Sequence, residues 1–494
     1  MKSEPRSHKI LRPSFAIASV AALAGALISC GGETTIQGMF NPPTGTIRVS
    51  VSDPPKCRVP NGMFKNVYVS IRSVQAHVSS SAGDSTAGWQ ELAPQLAQQP
   101  IQVDLLALPS NGCTLATLGS NPSLPVGDYQ QIRLILVANN AGASDPKPAT
   151  NACGNQGFNC VVLSDDSIHQ LDLSSQANTG LKIPPGQVMG GPIRVTSGSN
   201  VDLNIDFNTC ASIVPLPNSR FRLRPTLTAG QVSTTPSTAV SGQVVDSATM
   251  QPIADGKVLV ALEQADSSSV DRIIMEAMAD SNGNFSFCPV PTGMYDLVAV
   301  GTGQKNTAYN AAVLLGVSQG SSAGKIPLIA ETGATPAGPA TIQGTVTAAS
   351  GTPPMTTGAS VDVALSALQT ITIPGGATTR DITIPLQGAS TMTVATAAAM
   401  TCPANTNCAD YKLVVPASNP SIGVFSSSGT SYSMPIAGDV LFKVEGRASV
   451  PMSGGTTTCS PATLVTDKDS ADMPLKVTGG MTSTAKRLDF TGCM

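Results

Sequence analysis

Gly320-Ser321-Ser322-Ala323-Gly324 has the G-x-S-x-G spacing that exposes a serine nucleophile on a tight strand-to-helix turn. That chemistry also needs an acid and a His downstream to take the hydroxyl proton. Here Lys325-Ile326-Pro327-Leu328 reads as a strand interrupted by Pro, and no His follows His169. The spacing is read as a linker coincidence. The same stretch, with Lys325 after Gly324, is one residue short of a phosphate-cradling loop and lacks the Ser or Thr that should follow. Gly83-Asp84-Ser85 offers another serine, but no Asp-x-x-His near the C-terminus could activate it.

Histidine chemistry is nearly excluded by number. Beyond the first 29 residues the chain keeps only His77 and His169. His77 follows the apolar run Val67–Val74 and reads as a surface or half-buried strand residue. His169 follows Asp165 and Asp166, where a solvated loop is expected and a small cation site is the alternative. Asp280, Asn282 and Asn284 look like a calcium loop, yet such a loop places its Gly sixth and Gly283 is fourth. Asn282-Gly283 between alternating runs is read instead as a hairpin turn. Carboxylate pairs for glycoside hydrolysis are numerically available, but sugar-cleaving sites usually add aromatic platforms. Only 17 aromatics lie beyond residue 29, and Trp89, the sole Trp, is expected in a core. No cofactor, metal site or catalytic residue is assigned.

The elements that would hold any site are set by composition and by the N-terminus. The chain has 494 residues, 41% hydrophobic and 12% charged, about half the usual charged share. Its length suggests roughly three domains. With 28 basic and 31 acidic side chains it has no basic footprint for nucleic acid. Lys2, Arg6, Lys9 and Arg12 precede fourteen apolar or small residues, Phe15–Ile28. A membrane span needs about 20 such residues, so this run fits the core of a secretory signal over residues 1–29. Leu27-Ile28-Ser29-Cys30 resembles the bacterial lipobox, which implies that Cys30 is the first mature residue and carries diacylglycerol. An ordinary signal peptide is the alternative. Acyl chains add about 0.8 kcal/mol per buried CH₂, so several anchor stably. Gly31 follows Cys30, not the Asp that holds many such proteins at the inner membrane.

Without its leader the chain carries a net charge of −6, and without Cys30 it keeps ten cysteines: Cys57, Cys113, Cys153, Cys160, Cys210, Cys288, Cys402, Cys408, Cys459 and Cys493. An even number in an oxidising compartment reads as disulfides. Zinc is the alternative, but there is no C-x₂-C pair. Connectivity is not fixed by sequence. Pairing of sequence neighbours gives 57–113, 153–160, 402–408 and 459–493, leaving Cys210 and Cys288 to bridge two domains.

Gly/Pro/Thr-rich joints at Gly31–Thr44, Gly230–Ala239 and Glu331–Pro339 punctuate the chain. They give a tether over 30–44 and domains over 45–230, 240–330 and 340–494. Between them apolar residues alternate with period two. Ile47, Val49 and Val51 alternate with polar residues, as do Val201, Leu203, Ile205 and Phe207. Phe221, Leu223 and Leu227 share one face and Arg222 and Arg224 the other. Helical candidates are few; Met392–Met400 is Ala-rich but lacks caps. A weak repeat joins Ser241-Gly242-Gln243-Val244 to Gln343-Gly344-Thr345-Val346, 102 residues on, so the third domain reads as a diverged copy of the second.

The middle segment resembles the carboxypeptidase regulatory-like, transthyretin-like β-sandwich. The matching residues are Ser241-Gly242-Gln243-Val244, Pro252-Ile253-Ala254, Asp280 to Phe287 and Pro291-Thr292-Gly293-Met294-Tyr295. This resemblance implies a carbohydrate-binding-like fold whose members are mostly structural or interaction modules. Residues 45–228 resemble a bacterial domain-of-unknown-function family found at the N-terminus of secreted lipoproteins. That match rests on Ser52-Asp53-Pro54-Pro55, Val103-Asp104-Leu105-Leu106, Leu124 to Leu134 and Leu203-Asn204-Ile205-Asp206-Phe207, and implies no activity.

The expected fold is all-β, a tandem of antiparallel β-sandwiches built as transthyretin- or immunoglobulin-like Greek-key modules. The expected function is a non-enzymatic, lipid-anchored envelope scaffold for structure, adhesion or ligand binding, at the outer membrane and facing the periplasm or the surface. Its partners would be the membrane, through the lipid, and envelope proteins or glycans. A carbohydrate-binding lipoprotein is the alternative, and an envelope-acting hydrolase a third reading.

Overall fold

The computed structural model describes residues 42–493 apart from 54–62, 84, 109–114, 174–179, 184–186, 190, 217, 225–226, 233–237, 254–256, 267, 289, 292, 304–306, 332–337, 351–355, 358–360, 377, 387–389, 395–401, 404–405, 453–454 and 458. Cys30 and the leader lie outside the described residues, as do Cys57, Cys113 and the side chain of Cys210.

The fold is all-β, and the first segment is a sandwich. The strand Thr44–Ser52 pairs in parallel with Asn200–Phe207 and antiparallel with Ala116–Pro125. Facing this sheet, the long strand Phe64–His77 pairs with Gln131–Leu136 and Cys160–Leu163. Alternation delivers Ile47, Val49, Val51, Leu203, Ile205 and Phe207 from one sheet and Val67, Val69 and Ile71 from the other into one core. The opposite face is also buried, although it is polar. Ser52 Oγ donates to Asp206 Oδ1 at 2.7 Å and accepts from Asn204 Nδ2 at 2.9 Å. Ile274, Met275 and Pro291 of the middle segment cover these groups around a water-sized cavity of about 10 Å³.

One eleven-stranded sheet runs through both the middle and C-terminal segments. Ser421–Val424, Ala312–Ser318, Met294–Thr302, Lys257–Ala265, Val270–Met278, Thr379–Ile384, Val361–Thr372 and Lys443–Met452 lie side by side in that order. Its middle-segment strands feed two cores. Val258, Val260, Leu262 and Leu314 pack with Val244, Phe285 and Ile326 of the small sheet on one face. Leu259, Val298, Val300, Val313 and Leu315 pack on the other face with Ile342, Val346 and Leu413 of the C-terminal segment's own small sheet. A strand covered on both faces needs an apolar residue at nearly every position. Val258-Leu259-Val260-Ala261-Leu262 and Ala311-Ala312-Val313-Leu314-Leu315 are such runs.

Most pairs are antiparallel, but each segment's first strand pairs in parallel with a late one. Thr44–Ser52 pairs with Asn200–Phe207, Val240–Asp246 with Ser322–Leu328, and Ala340–Ser350 with Thr482–Thr484 and Leu488–Phe490. The 102-residue repeat falls on the second and third of these opening strands. Two expectations need correction. Met392–Met400 does not open as a helix: Thr391–Val394 is a strand paired with Val361–Thr372, where its β-branched residues fit the pleat and Val394 enters the core. The joints are also partly built in. Gly230 and Gln231 end the strand Leu227–Gln231, and the Glu331 carboxylate accepts from the Ala417 amide and the Ser418 hydroxyl, both at 2.8 Å.

Pro125-Val126-Gly127-Asp128-Tyr129 and Pro291-Thr292-Gly293-Met294-Tyr295 share a P-x-G-x-Y spacing. In both, the buried Tyr hydroxyl donates to the carbonyl of the Pro four residues earlier, at 2.8 and 2.6 Å. This is the logic of a tyrosine corner. A Cβ at residue 293 would sit 3.1 Å from the Tyr295 hydroxyl, so Gly293 leaves room for the ring to fold back. Burial pushes the Tyr295 hydroxyl up to about 12, which keeps it a donor. Tyr295→Phe leaves a buried carbonyl unmet and should cost about 1–3 kcal/mol in urea unfolding. An unchanged midpoint would remove the corner from the stability of the middle segment.

Candidate functional site

The chemistry-bearing residues gather where the three segments meet. A cleft of about 430 Å³ there is lined by Asn208 and Thr228 of the first segment, Gln264 and Arg272 of the middle one, and Ser366 and Arg447 of the C-terminal one. The strand Lys257–Ala265 brings up Gln264. The following turn is fixed by the Asp266 carboxylate, which accepts from the amides of Ser268 and Val270 at 2.7 and 3.1 Å. The strand Val270–Met278 then presents Arg272, and Lys443–Met452 presents Glu445 and Arg447.

Arg272 grips Glu445 through two hydrogen bonds of 2.7 and 3.0 Å and reaches Asp266 at 2.8 Å. Arg447 Nε adds a third donor to Glu445, also at 2.8 Å. Burial would raise the Asp266 carboxyl, but the Arg272 guanidinium and the turn amides outweigh it and hold it low. Burial likewise opposes the Arg272 charge, and its two carboxylate partners more than compensate. Two acids and two bases thus form a closed, neutral network, and Asn208, Gln264 and Ser366 line the cleft beside it.

The first segment docks through charges that sequence alternation assigns to a polar face. Arg222 lies 3.5 Å from the buried Asp362. Arg224 donates to the Ser449 hydroxyl at 2.9 Å and the Arg447 carbonyl at 3.3 Å. Asn208 donates to Glu276 at 3.2 Å. Burial lowers the Arg224 guanidinium, with Asp362 offsetting part of that loss. Alternation placed Arg222 and Arg224 opposite Phe221 and Leu223 correctly, but that face meets protein, not water. The available signal was scarcity: in a chain 12% charged, two basic residues on one short strand have partners.

Other sequence candidates stand apart from this cleft. His77 is buried: its Nδ1 accepts from the Ser79 amide at 2.8 Å, leaving Nε2–H to donate to the Ala87 carbonyl at 3.0 Å. His169 belongs to the strand Ile168–Leu173, not a loop, and lies edge-on to Phe221 with Ser167 Oγ 3.0 Å from its Nε2. Trp89 is not a core residue. It is half-buried at the surface, under the Arg133 guanidinium at 4.1 Å and beside His77 at 5.2 Å. Gly320-Ser321-Ser322-Ala323-Gly324 is no linker but the turn into the strand Ser322–Leu328. At Asp280–Asn284 the Asp280 carboxylate accepts from the amides of Asn282 and Asn284, and Gly283 has a φ of 75°. These are the features of a tight turn with an αL Gly, but it is not a hairpin: it carries the chain from Val270–Met278 in the eleven-stranded sheet to Asn284–Phe287 in the small one, and the two strands do not pair with each other. Among the described residues no group of three or more His, Cys, Asp or Glu is placed to hold a metal ion.

Three disulfides join Cys153 to Cys160, Cys402 to Cys408 and Cys459 to Cys493. Cys288 is also disulfide-bonded, to a cysteine whose side chain lies outside the described residues. The 34-residue span from Cys459 to Cys493 ties the chain end back, which the chain-entropy model values at about 4 kcal/mol. No described helix is long and apolar enough to cross a membrane.

Residues 44–225 match the family described as "Domain of unknown function (DUF4382)", over the span where the sequence motifs resemble such a family. No curated protein matches the chain. Among solved structures, the minor pilin GBS52 of Streptococcus agalactiae is similar at 11% identity and a TM-score of 0.17, covering 51% of this chain and 95% of its own. The shaft pilin SpaA of Lactobacillus rhamnosus GG is similar at 8% and 0.15, covering 58% and 98%. A DUF3823 family protein of Bacteroides uniformis is similar at 8% and 0.13, covering 51% and 100%. Overlaps of this size assign the chain no role and no partner.

Removing one side of the closed network strands a buried charge. Arg272→Met leaves Glu445 with Arg447 alone and should destabilise the chain by about 3 kcal/mol in denaturant unfolding. The double change Arg272→Met with Glu445→Leu should recover most of that loss. Equal losses in the two variants would show that packing, not charge, holds this junction.

Proposed function

We propose that the chain is a non-enzymatic, lipid-anchored scaffold of the bacterial cell envelope, presenting a binding surface on disulfide-stapled β-sandwiches. The observation that carries this reading is the engaged state of its reactive groups. The imidazole of His77 is committed on both nitrogens, and the arginines of the three-segment cleft are closed on carboxylates. Beside those paired charges and Glu276, the cleft offers a ligand neutral groups: the Asn208 and Gln264 amides and the Ser366 hydroxyl. Such groups suit a protein or glycan surface better than charge steering does. The disulfides support an oxidising compartment. The basic leader, the apolar run and Cys30 support export and a lipid tether at the outer membrane.

Carbohydrate binding is the second reading, favoured by those neutral donors and by the carbohydrate-binding-like fold that the middle segment resembles. Tyr295 is unavailable as a stacking platform, being buried and bonded to Pro291. Trp89 presents a half-buried ring already stacked by Arg133. A glycan would therefore be held by hydrogen bonds more than by stacking.

Cys30→Ala should move the protein from the membrane fraction to the soluble one; continued co-sedimentation with membranes would refute the anchor. Thiol titration of the denatured, unreduced mature protein should find almost no free thiol, and several would refute the oxidising compartment. Binding screens of the soluble mature chain against polysaccharides and envelope proteins separate the two readings. Gln264→Ala should weaken a glycan hit at least tenfold, and turnover of any polymer would refute the non-enzymatic assignment.

A further inference from the structure

We propose that the seam between the strands Val270–Met278 and Thr379–Ile384 is a proton-operated lock, closed while the buried acids Glu263 and Asp271, gathered beside Asp296, hold protons and loosened when they give them up. The proposal stands apart from the anchor and from any ligand. The seam joins the middle segment to the C-terminal one, yet only Val270 opposite Asp381 and Asp271 opposite Ile382 are in register there. So short a parallel ladder holds little by itself, and the side chains astride it decide whether it stays shut.

Three carboxylates meet at this point. Glu263 and Asp271 are fully buried and Asp296 nearly so. Glu263 lies directly opposite Asp296 in the sheet, and Asp271 and Asp296 meet at the same arginine. One cation serves two of them: Arg380 pairs with Asp271 at 3.0 Å and with Asp296 as well. The remaining donors are the Thr383 amide, 3.3 Å from Glu263 Oε2, and the Gly316 amide, 2.7 Å from Asp296 Oδ1. Glu263 Oε1 and both Asp271 carboxylate oxygens have no hydrogen-bond partner. Ionised carboxylates only accept, so a contact between two of them becomes a hydrogen bond only when a proton lies between them.

Among the described residues, no ion pair links a second cation to these three acids. Leu315, Gly316, Ile373, Pro374 and Val424 face Glu263 and Asp296 across a neighbouring cleft and are uncharged. Glu276, farther along the strand of Asp271, accepts from Asn208, and its charge also bears on Glu263. The other acids near the seam have cations of their own. Asp266 and Glu445 are held by Arg272, with Arg447 also on Glu445, and Asp381 is held by Lys443 at 2.8 and 2.9 Å. Burial and then Asp271 raise the Glu263 carboxyl well above its usual range, while burial and then Asp296 raise Asp271 to about 7.

The sign follows from linkage. Between the usual carboxylate range near 4 and the raised values, the closed seam keeps protons that an opened one releases. Closure is therefore favoured at acid pH and weakens as pH rises through about 7 and beyond.

Hydrogen exchange on the full chain reads this directly. Protection factors at Asp271, Ile382 and Thr383, corrected for intrinsic exchange, should fall by up to about tenfold per pH unit for each proton released, from about pH 5 to 8.5. The strand Gln131–Leu136 should show a smaller slope. Glu263→Gln and Asp271→Asn should each flatten the slope at the seam. A wild-type seam with constant protection, an equal slope in Gln131–Leu136, or folded variants that keep the full slope would overturn the lock. The wild-type profile decides the matter even if the variants fail to fold.

Discussion

The structure depends on strands that are buried on both faces. Val258 to Leu262 and Ala311 to Leu315 lie in a sheet with one core above and another below. Neither flanking sheet could be removed without exposing half of each run to water, at roughly 25 cal/mol per Å². Burial of this kind couples the middle and C-terminal segments more firmly than a linker could, because one set of strands completes two cores. It also dictates where polar side chains go. They are excluded from the runs Val258 to Leu262 and Ala311 to Leu315 and lie farther along the strands, as Glu263, Glu276 and Asp296 do.

That exclusion explains how the chain uses its few charges. Buried ions persist only when paired or neutralised by a proton. At the three-segment junction Asp266, Arg272, Glu445 and Arg447 cancel one another, while Arg222 and Arg224 meet partners in the C-terminal segment. Where pairing runs short, as around Arg380 or at Asp206, the acids are held up by burial; Asp206 reaches about 7. At these junctions charge works as mortar between modules, while pairs such as Arg194–Asp128 and Arg487–Asp489 lie at the surface.

Much of the strand content was legible because alternation is local: a period of two within Thr44–Ser52 or Asn200–Phe207 reports one buried face whatever covers the other. The fate of the second face was not legible. Ser50, Ser52, Asn204 and Asp206 read as solvent-facing, yet they are sealed by residues more than 60 positions away. The unbroken run Val258 to Leu262 carried the opposite signal, that both faces are covered, and no alternation count would notice it. His169 and Trp89 were misassigned for a related reason, since whether a lone ring is core, strand or surface depends on neighbours such as Phe221 and Arg133. The P-x-G-x-Y spacing was present twice in the sequence; only the shared hydroxyl-to-Pro geometry gives it meaning.

The parallel pairing of Thr44–Ser52 with Asn200–Phe207 has a mechanical side. This strand follows directly on the N-terminal stretch and is flanked by a second, antiparallel partner. Tension applied from the N-terminus runs along the strand axis and perpendicular to its hydrogen bonds. The seven register positions from Thr46 to Ser52 are then loaded together in shear, not peeled one after another. A strand paired on both sides in this way resists being drawn out along its own axis at all of those positions at once.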